Sequence, residues 1–264
     1  LATGMIIALV VAGVQADDAA TLLRTEKEFV AELIALEQLD AARKHLDIIR
    51  REFPQETETI AYHAGVINFM SKDYAAANKN FARVLAHEPT ALRRHSTLQY
   101  LVDGHLATGE LDEACAWLAK LKPAAGRGAW YPKACVKLAD AMTDKLSATP
   151  AQKRVEAKKP LMKLCRQFVK AFPKDPMVPW LKYHLAEYEY DALAATIYGP
   201  GKSLKEALTE IDHDARDRIA IKLLQTRRTF RALATAYPDH PVARRAATRV
   251  DVLSAIVGTL RKHD

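Results

Sequence analysis

The sequence is poor in the residues that make turns and strands. Glycine accounts for 10 of 264 residues, about half its usual share of roughly 7%. Sustained alternation of apolar and polar residues is missing, and Asp103-Gly104 stands alone as a hairpin-type dipeptide, which argues against an all-β body. Three cysteines, Cys115, Cys135 and Cys165, contain no CxxC pair, so they form no zinc signature. Cys115 and Cys135 are the expected partners if an exported chain oxidises two of them; the alternative is that all three are small apolar core residues. GxSxG, HExxH and GxGxxG are absent, which removes the motif-bearing hydrolase, metalloprotease and dinucleotide classes. The apolar run Met5–Val14 is about ten residues, too short for a span that needs ~20.

What is present favours helix. Alanine numbers 46, hydrophobic residues are 49% and charged residues 27%, a globular balance rich in the residue that loses no side-chain entropy in a helix. Apolar residues recur at helical spacing, as in Leu33, Leu36 and Leu39, or Ile219, Leu223 and Phe230. The charge is uneven. Residues 1–144 carry 16 Lys+Arg against 19 Asp+Glu, and residues 145–264 carry 23 against 13. The C-terminal half is therefore a candidate surface for an anionic partner; the alternative is that these cations solvate helix faces. Met5–Val14 has the length of a signal-peptide apolar core, and Val14-Gln15-Ala16 offers a small residue before a cut. Cleavage after Ala16 gives a chain starting at Asp17 in the periplasm or outside the cell. The rival expectation is a buried first helix.

Four helix stops look alike: Glu52-Phe53-Pro54, His87-Glu88-Pro89, Ala171-Phe172-Pro173 and Ala236-Tyr237-Pro238. Proline cannot continue a helix, because it lacks an N–H and its ring clashes with the preceding turn. Counting back from the stops, Ala42, Ala77 and Ala114 are 35 and 37 residues apart, each followed four residues later by Leu46, Phe81 or Leu118. The second copy is the fullest, with Gly65, Tyr74, Ala77, Phe81 and Pro89; the first has Val30 and the third Val102 at the Gly65 position. The pattern resembles the tetratricopeptide repeat, whose period is ~34. Degenerate spacing and Phe/Tyr-Pro stops are similar to the periplasmic tetratricopeptide-like scaffolds of the bacterial envelope, although the lipidated cysteine common among them is missing. The resemblance implies an all-α, right-handed α-solenoid of about six helix hairpins. Residues 1–16 read as the signal peptide, 17–144 as a lobe of three repeats and 145–264 as a basic, degenerate lobe. About twelve helices are expected, with 145–159 a polar connection and a short capped helix opening at Ser203-Leu204-Lys205-Glu206.

Candidate chemistry is sparse. Gly199-Pro200-Gly201-Lys202-Ser203 superficially suggests a phosphate loop, but position 196 is Thr and the preceding stretch reads as helix. His184, Glu187 and Asp191 share one helical face and carry metal-ligand chemistry; a polar helix face is the plainer reading. Asp212-His213-Asp214 reads as a helix cap. Trp180, Tyr183, Tyr188, Tyr190 and Tyr198 read as the core of a degenerate repeat, with sugar or base stacking as the alternative. No cofactor and no bound metal are expected.

The resemblance also implies a concave face built from the first helix of each pair, holding an extended or helical peptide. Its positions here are Arg24, Lys27 and Ile34; Thr59, Tyr62, Val66 and Phe69; and Ser96, Gln99 and Asp103. Tyr62 and Phe69 are the large anchors, unless Phe69 packs against the neighbouring repeat. Lys27 has Ala31 where the family's carboxylate clamp needs Asn. The expected function is a non-catalytic exported scaffold binding another envelope protein or its peptide, with possible peripheral association with a membrane complex and no specific nucleic acid. The alternatives are an envelope enzyme using unpatterned carboxylates on a polymer, and a cytosolic adaptor for an anionic partner.

Overall fold

The computed structural model describes residues 2–121, 130–197 and 213–261. Eleven helices and no strands occur among them: α1 (Ala2–Ala35), α2 (Leu39–Glu52), α3 (Thr57–Met70), α4 (Tyr74–Ala86), α5 (Ala91–Thr108), α6 (Leu111–Lys120), α7 (Trp130–Lys145), α8 (Ala151–Ala171), α9 (Val178–Ile197), α10 (His213–Ala236) and α11 (Pro241–Arg261). Helices adjacent in sequence pack on one another, as short connections between amphipathic helices require. The expectations at Gly199–Ser203 and Ser203–Glu206 lie outside the described residues. The chain divides into two compact units, Leu1–Leu121 and Lys122–Asp264. No described helix is long and apolar enough to cross a membrane.

Unit 1 holds three helix pairs, and their equivalent positions behave alike. Val30, Gly65 and Val102 on the first helices are buried, as are Ala42, Ala77 and Ala114 on the second. Leu46, Phe81 and Leu118 close the wedge and are buried too. The glycine is needed in the middle pair, since a Cβ on Gly65 would lie 2.7 Å from Cε1 of Phe81. The turns inside the pairs also repeat. Glu37, Lys72 and Gly109 have φ of 58°, 63° and 75°. In each turn the next residue donates its N–H five residues back: Gln38 to Leu33, Asp73 to Asn68 and Glu110 to His105. This closes the helix end by satisfying its orphan carbonyls. Only the third turn uses glycine for the left-handed residue.

The stops repeat across both units. Phe53 and Phe172 end α2 and α8 with φ of −133° and ψ of 62° and 63°. Behind them, Glu56 donates to the Phe53 carbonyl, Asp175 to Phe172 and His240 to Tyr237, at 3.0, 3.1 and 3.0 Å. The His87-Glu88-Pro89 stop differs, because Glu88 is left-handed at φ 51°.

Unit 2 is built from α7 to α11. Ala186 and Leu193 of α9, Leu223 and Phe230 of α10, and Ala246 and Leu253 of α11 share one buried cluster. The polar stretch 151–159 is the first half of α8, and Pro160 sits inside that helix on its exposed side. The sequence there looks like a connection because it is charged, yet two of its charges are anchored. Arg154 donates Nη2 and Lys158 donates Nζ to the Asp191 carboxylate of α9, both at 3.0 Å. Cys115, Cys135 and Cys165 are all buried, which matches the core reading.

Candidate binding face

In unit 1, α1, α3 and α5 carry the residues expected to face a partner, and the structure sorts them into three groups. The first is ionic. Lys27 of α1 donates to Glu56 Oε2 at 2.7 Å, and Thr59 Oγ1 donates to the same oxygen at 3.1 Å. These bonds, chiefly the one from Lys27, hold the Glu56 carboxyl below its ordinary pKa. Arg24 is exposed nearby on α1.

The second group centres on Tyr62. Its ring lies edge-on to Phe81, and the Arg93 guanidinium from α5 sits 4.2 Å from its centroid. Arg93 Nε lies 3.7 Å from Glu58 Oε1, and its buried Nη1 has no hydrogen-bond partner. Beside it, His63 is 8% exposed. Burial first, then the Arg93 and Lys27 charges, pushes its pKa down to about 4. His63 is therefore neutral at physiological pH, and the cations around it are not joined by a third.

The third group is aromatic. Phe69 packs edge-on against Tyr74 of α4 and Tyr100 of α5, with centroids 5.2 and 5.1 Å away. Tyr100 also stacks on Phe81 at 4.9 Å, with planes 3° apart. Phe69 thus touches the neighbouring repeat, as one of its two readings had it. Ile34 packs against the cores of the first two repeats. Val66 is 5% exposed and belongs to the core, so it offers a partner almost no surface. Gln99 hydrogen-bonds His95, Ser96 donates to the Leu92 carbonyl, and Asp103 is half-buried on α5.

Glu56, Arg93 and Tyr100 belong to this face although the sequence analysis did not single them out. Glu56 and Arg93 fall three residues before Thr59 and Ser96, one helical turn along the same stripe. That repeat offset was the signal available for finding them.

The His184, Glu187 and Asp191 face of α9 is held by cations. Glu187 accepts two bonds of 2.6 Å from Arg249 of α11. Asp191 is shared by Arg154 and Lys158. His184 is buried, with Nε2 3.5 Å from Asp140 Oδ1, and burial lowers its pKa against the pull of Asp140 and Glu187. Each carboxylate is neutralised by Arg or Lys, so this face is structural, and no cluster suited to a metal occurs among the described residues. Trp180 and Tyr190 are each capped by an arginine, Arg245 and Arg249 respectively.

No protein-family model matches this chain, and no curated protein matches it.

Proposed function

We propose that this chain is a non-catalytic scaffold of the tetratricopeptide-like class, a right-handed stack of about six helix hairpins. In this reading it is exported to the periplasm, and the α1–α3–α5 face of unit 1 binds a segment of another envelope protein. The observation that carries the reading is the Tyr62–Arg93 pair. A half-buried tyrosine is clamped between Phe81 and a guanidinium from the next repeat. Pre-ordered aromatic and arginine side chains lose little entropy on association and dominate interface energies. The Arg93 side chain, 31% exposed, offers its guanidinium to a carbonyl or carboxylate of the bound segment. Half-exposed pairs such as Lys27–Glu56 form a polar rim.

A displayed peptide library selected on the purified protein tests the reading. The best binder should lose about tenfold or more in affinity with Tyr62→Ala and with Arg93→Ala. It should bind normally to Lys79→Ala, an exposed change on α4, with helical circular dichroism retained in all three. Undiminished affinity in both face variants rejects the assignment.

A further inference from the structure

Unit 2 carries an open groove between α9 and α10 that the proposed peptide face does not use. Two cavities of about 490 and 410 Å³ lie along it and share Glu189 and Thr229. They run from Lys222 on α10 to Tyr237 just past its end and, antiparallel, from Thr196 to Lys182 on α9. At about 1.5 Å per residue that is about 21 Å of helix surface. Buried Ala186, Leu193, Thr226 and Leu233 make the floor. Ala192, Ala232 and Ala236 keep the walls low, and small walls admit a third helix closely. Arg166 sits over Tyr188 at 5.5 Å beside the groove's midpoint, and one end is closed by Lys182, whose Nζ donates to Tyr237 Oη at 3.3 Å. With Lys222, three cations line the groove against the single carboxylate of Glu189.

Unit 1 carries a surface of matching length and opposite sign. Leu22, Phe29 and Leu36, seven residues apart, are 43%, 47% and 67% exposed. Leu22 and Phe29 of α1 and Leu36, one residue past its end, form one stripe about 21 Å long by the same rise, on the side away from Lys27 and Ile34. Exposed Asp18, Glu28 and Glu32 flank it.

We propose that the α9–α10 groove of one copy of this chain receives the α1 stripe of a second copy. The apolar stripe meets the alanine-walled floor, and Glu28 and Glu32 meet Lys222, Lys182 and Arg166. The two patches differ, so the contact is head-to-tail and leaves a free stripe at one end and a free groove at the other. It is independent of the peptide face, and its test leaves Tyr62 and Arg93 untouched.

Sedimentation velocity on the full chain, over a wide concentration range, tests the proposal. The wild type should associate as concentration rises. Phe29→Ser and Lys222→Glu should each weaken association about tenfold or more. All the altered side chains are exposed, and Leu36→Ser repeats the stripe test should Phe29→Ser lose helical signal. Mixing Phe29→Ser, which keeps its groove, with Lys222→Glu, which keeps its stripe, should restore a one-to-one dimer that grows no further. Glu32→Lys combined with Lys222→Glu should recover part of the loss. A wild type that stays monomeric throughout overturns the proposal, as does association that none of these changes weakens, or a mixture that forms no dimer.

Discussion

Removing the Asp191 carboxylate is the sharpest perturbation of unit 2. Asp191 is buried on α9 and binds two cations of α8, Arg154 at 3.0 and 3.2 Å and Lys158 at 3.0 Å. In Asp191→Ala the arginine keeps a second bond, Nη1 to the Thr149 carbonyl at 2.7 Å. Lys158, 4% exposed, is left without this counter-ion. Breaking one side of a buried pair costs about 3–5 kcal/mol, because the remaining charge stays desolvated. In a chain of this size each kcal/mol moves Tm by roughly 2–4 °C, so the melt followed by circular dichroism should fall by about 6–20 °C. Asp191→Leu combined with Lys158→Met removes both buried charges and should recover to within about 1–2 kcal/mol of wild type, since apolar replacements of buried pairs are often neutral. A single variant costing under about 1 kcal/mol, or a double variant as damaged as the single, would refute the claim that this pair anchors α8 to α9.

Three further outcomes follow from the geometry. Gly65→Ala should destabilise unit 1 by up to about 2 kcal/mol in urea titration: overpacking against Phe81 costs about 1–3, set against roughly 1 gained in helix propensity. Phe81→Leu in the same chain should relieve the clash. Glu37→Gly and Lys72→Gly should each stabilise by about 0.5–1 kcal/mol, and Gly109→Ala should lose a similar amount, because all three residues hold a left-handed φ; no change in any of the three would discard the turn assignment. His63 titrates at about 4 in the fold against an ordinary 6.5. Above pH 6.5 neither state gains a proton. As pH falls from there towards 4, the unfolded chain binds one that the native chain does not, so stability should drop by about 2–3 kcal/mol across that window. His63→Gln should flatten this part of the pH profile; an unchanged profile would contradict the burial account.

The repeat was legible because burial selects the same residue types at the same offsets. Val30, Gly65 and Val102, with Ala42, Ala77 and Ala114, mark each pair's crossing in the sequence and are all buried. The aromatic-proline stops were legible for a similar reason, since proline dictates where a helix ends. The start of α8 was not: Arg154 and Lys158 look like loop charges until Asp191, more than thirty residues later, comes beside them. Nothing local in Glu37 or Lys72 marks a left-handed turn, because the repeat imposes the conformation that glycine adopts freely only at Gly109. On the binding face, Tyr62 and Phe69 stand out by size. Tyr100 emerges only when α5 is placed beside α3, and Val66 is consumed by the core.

A photo-crosslinking amino acid at Gln99 or Thr59, on the α1–α3–α5 face, tests the central claim most directly when the protein is expressed in its native host. A matched probe at Lys79 on α4 provides the control. The same discrete adduct should form from both face positions, disappear with Tyr62→Ala, and be missing at Lys79. Adducts formed equally from Lys79, or face adducts that persist in Tyr62→Ala, would contradict a partner held on this face.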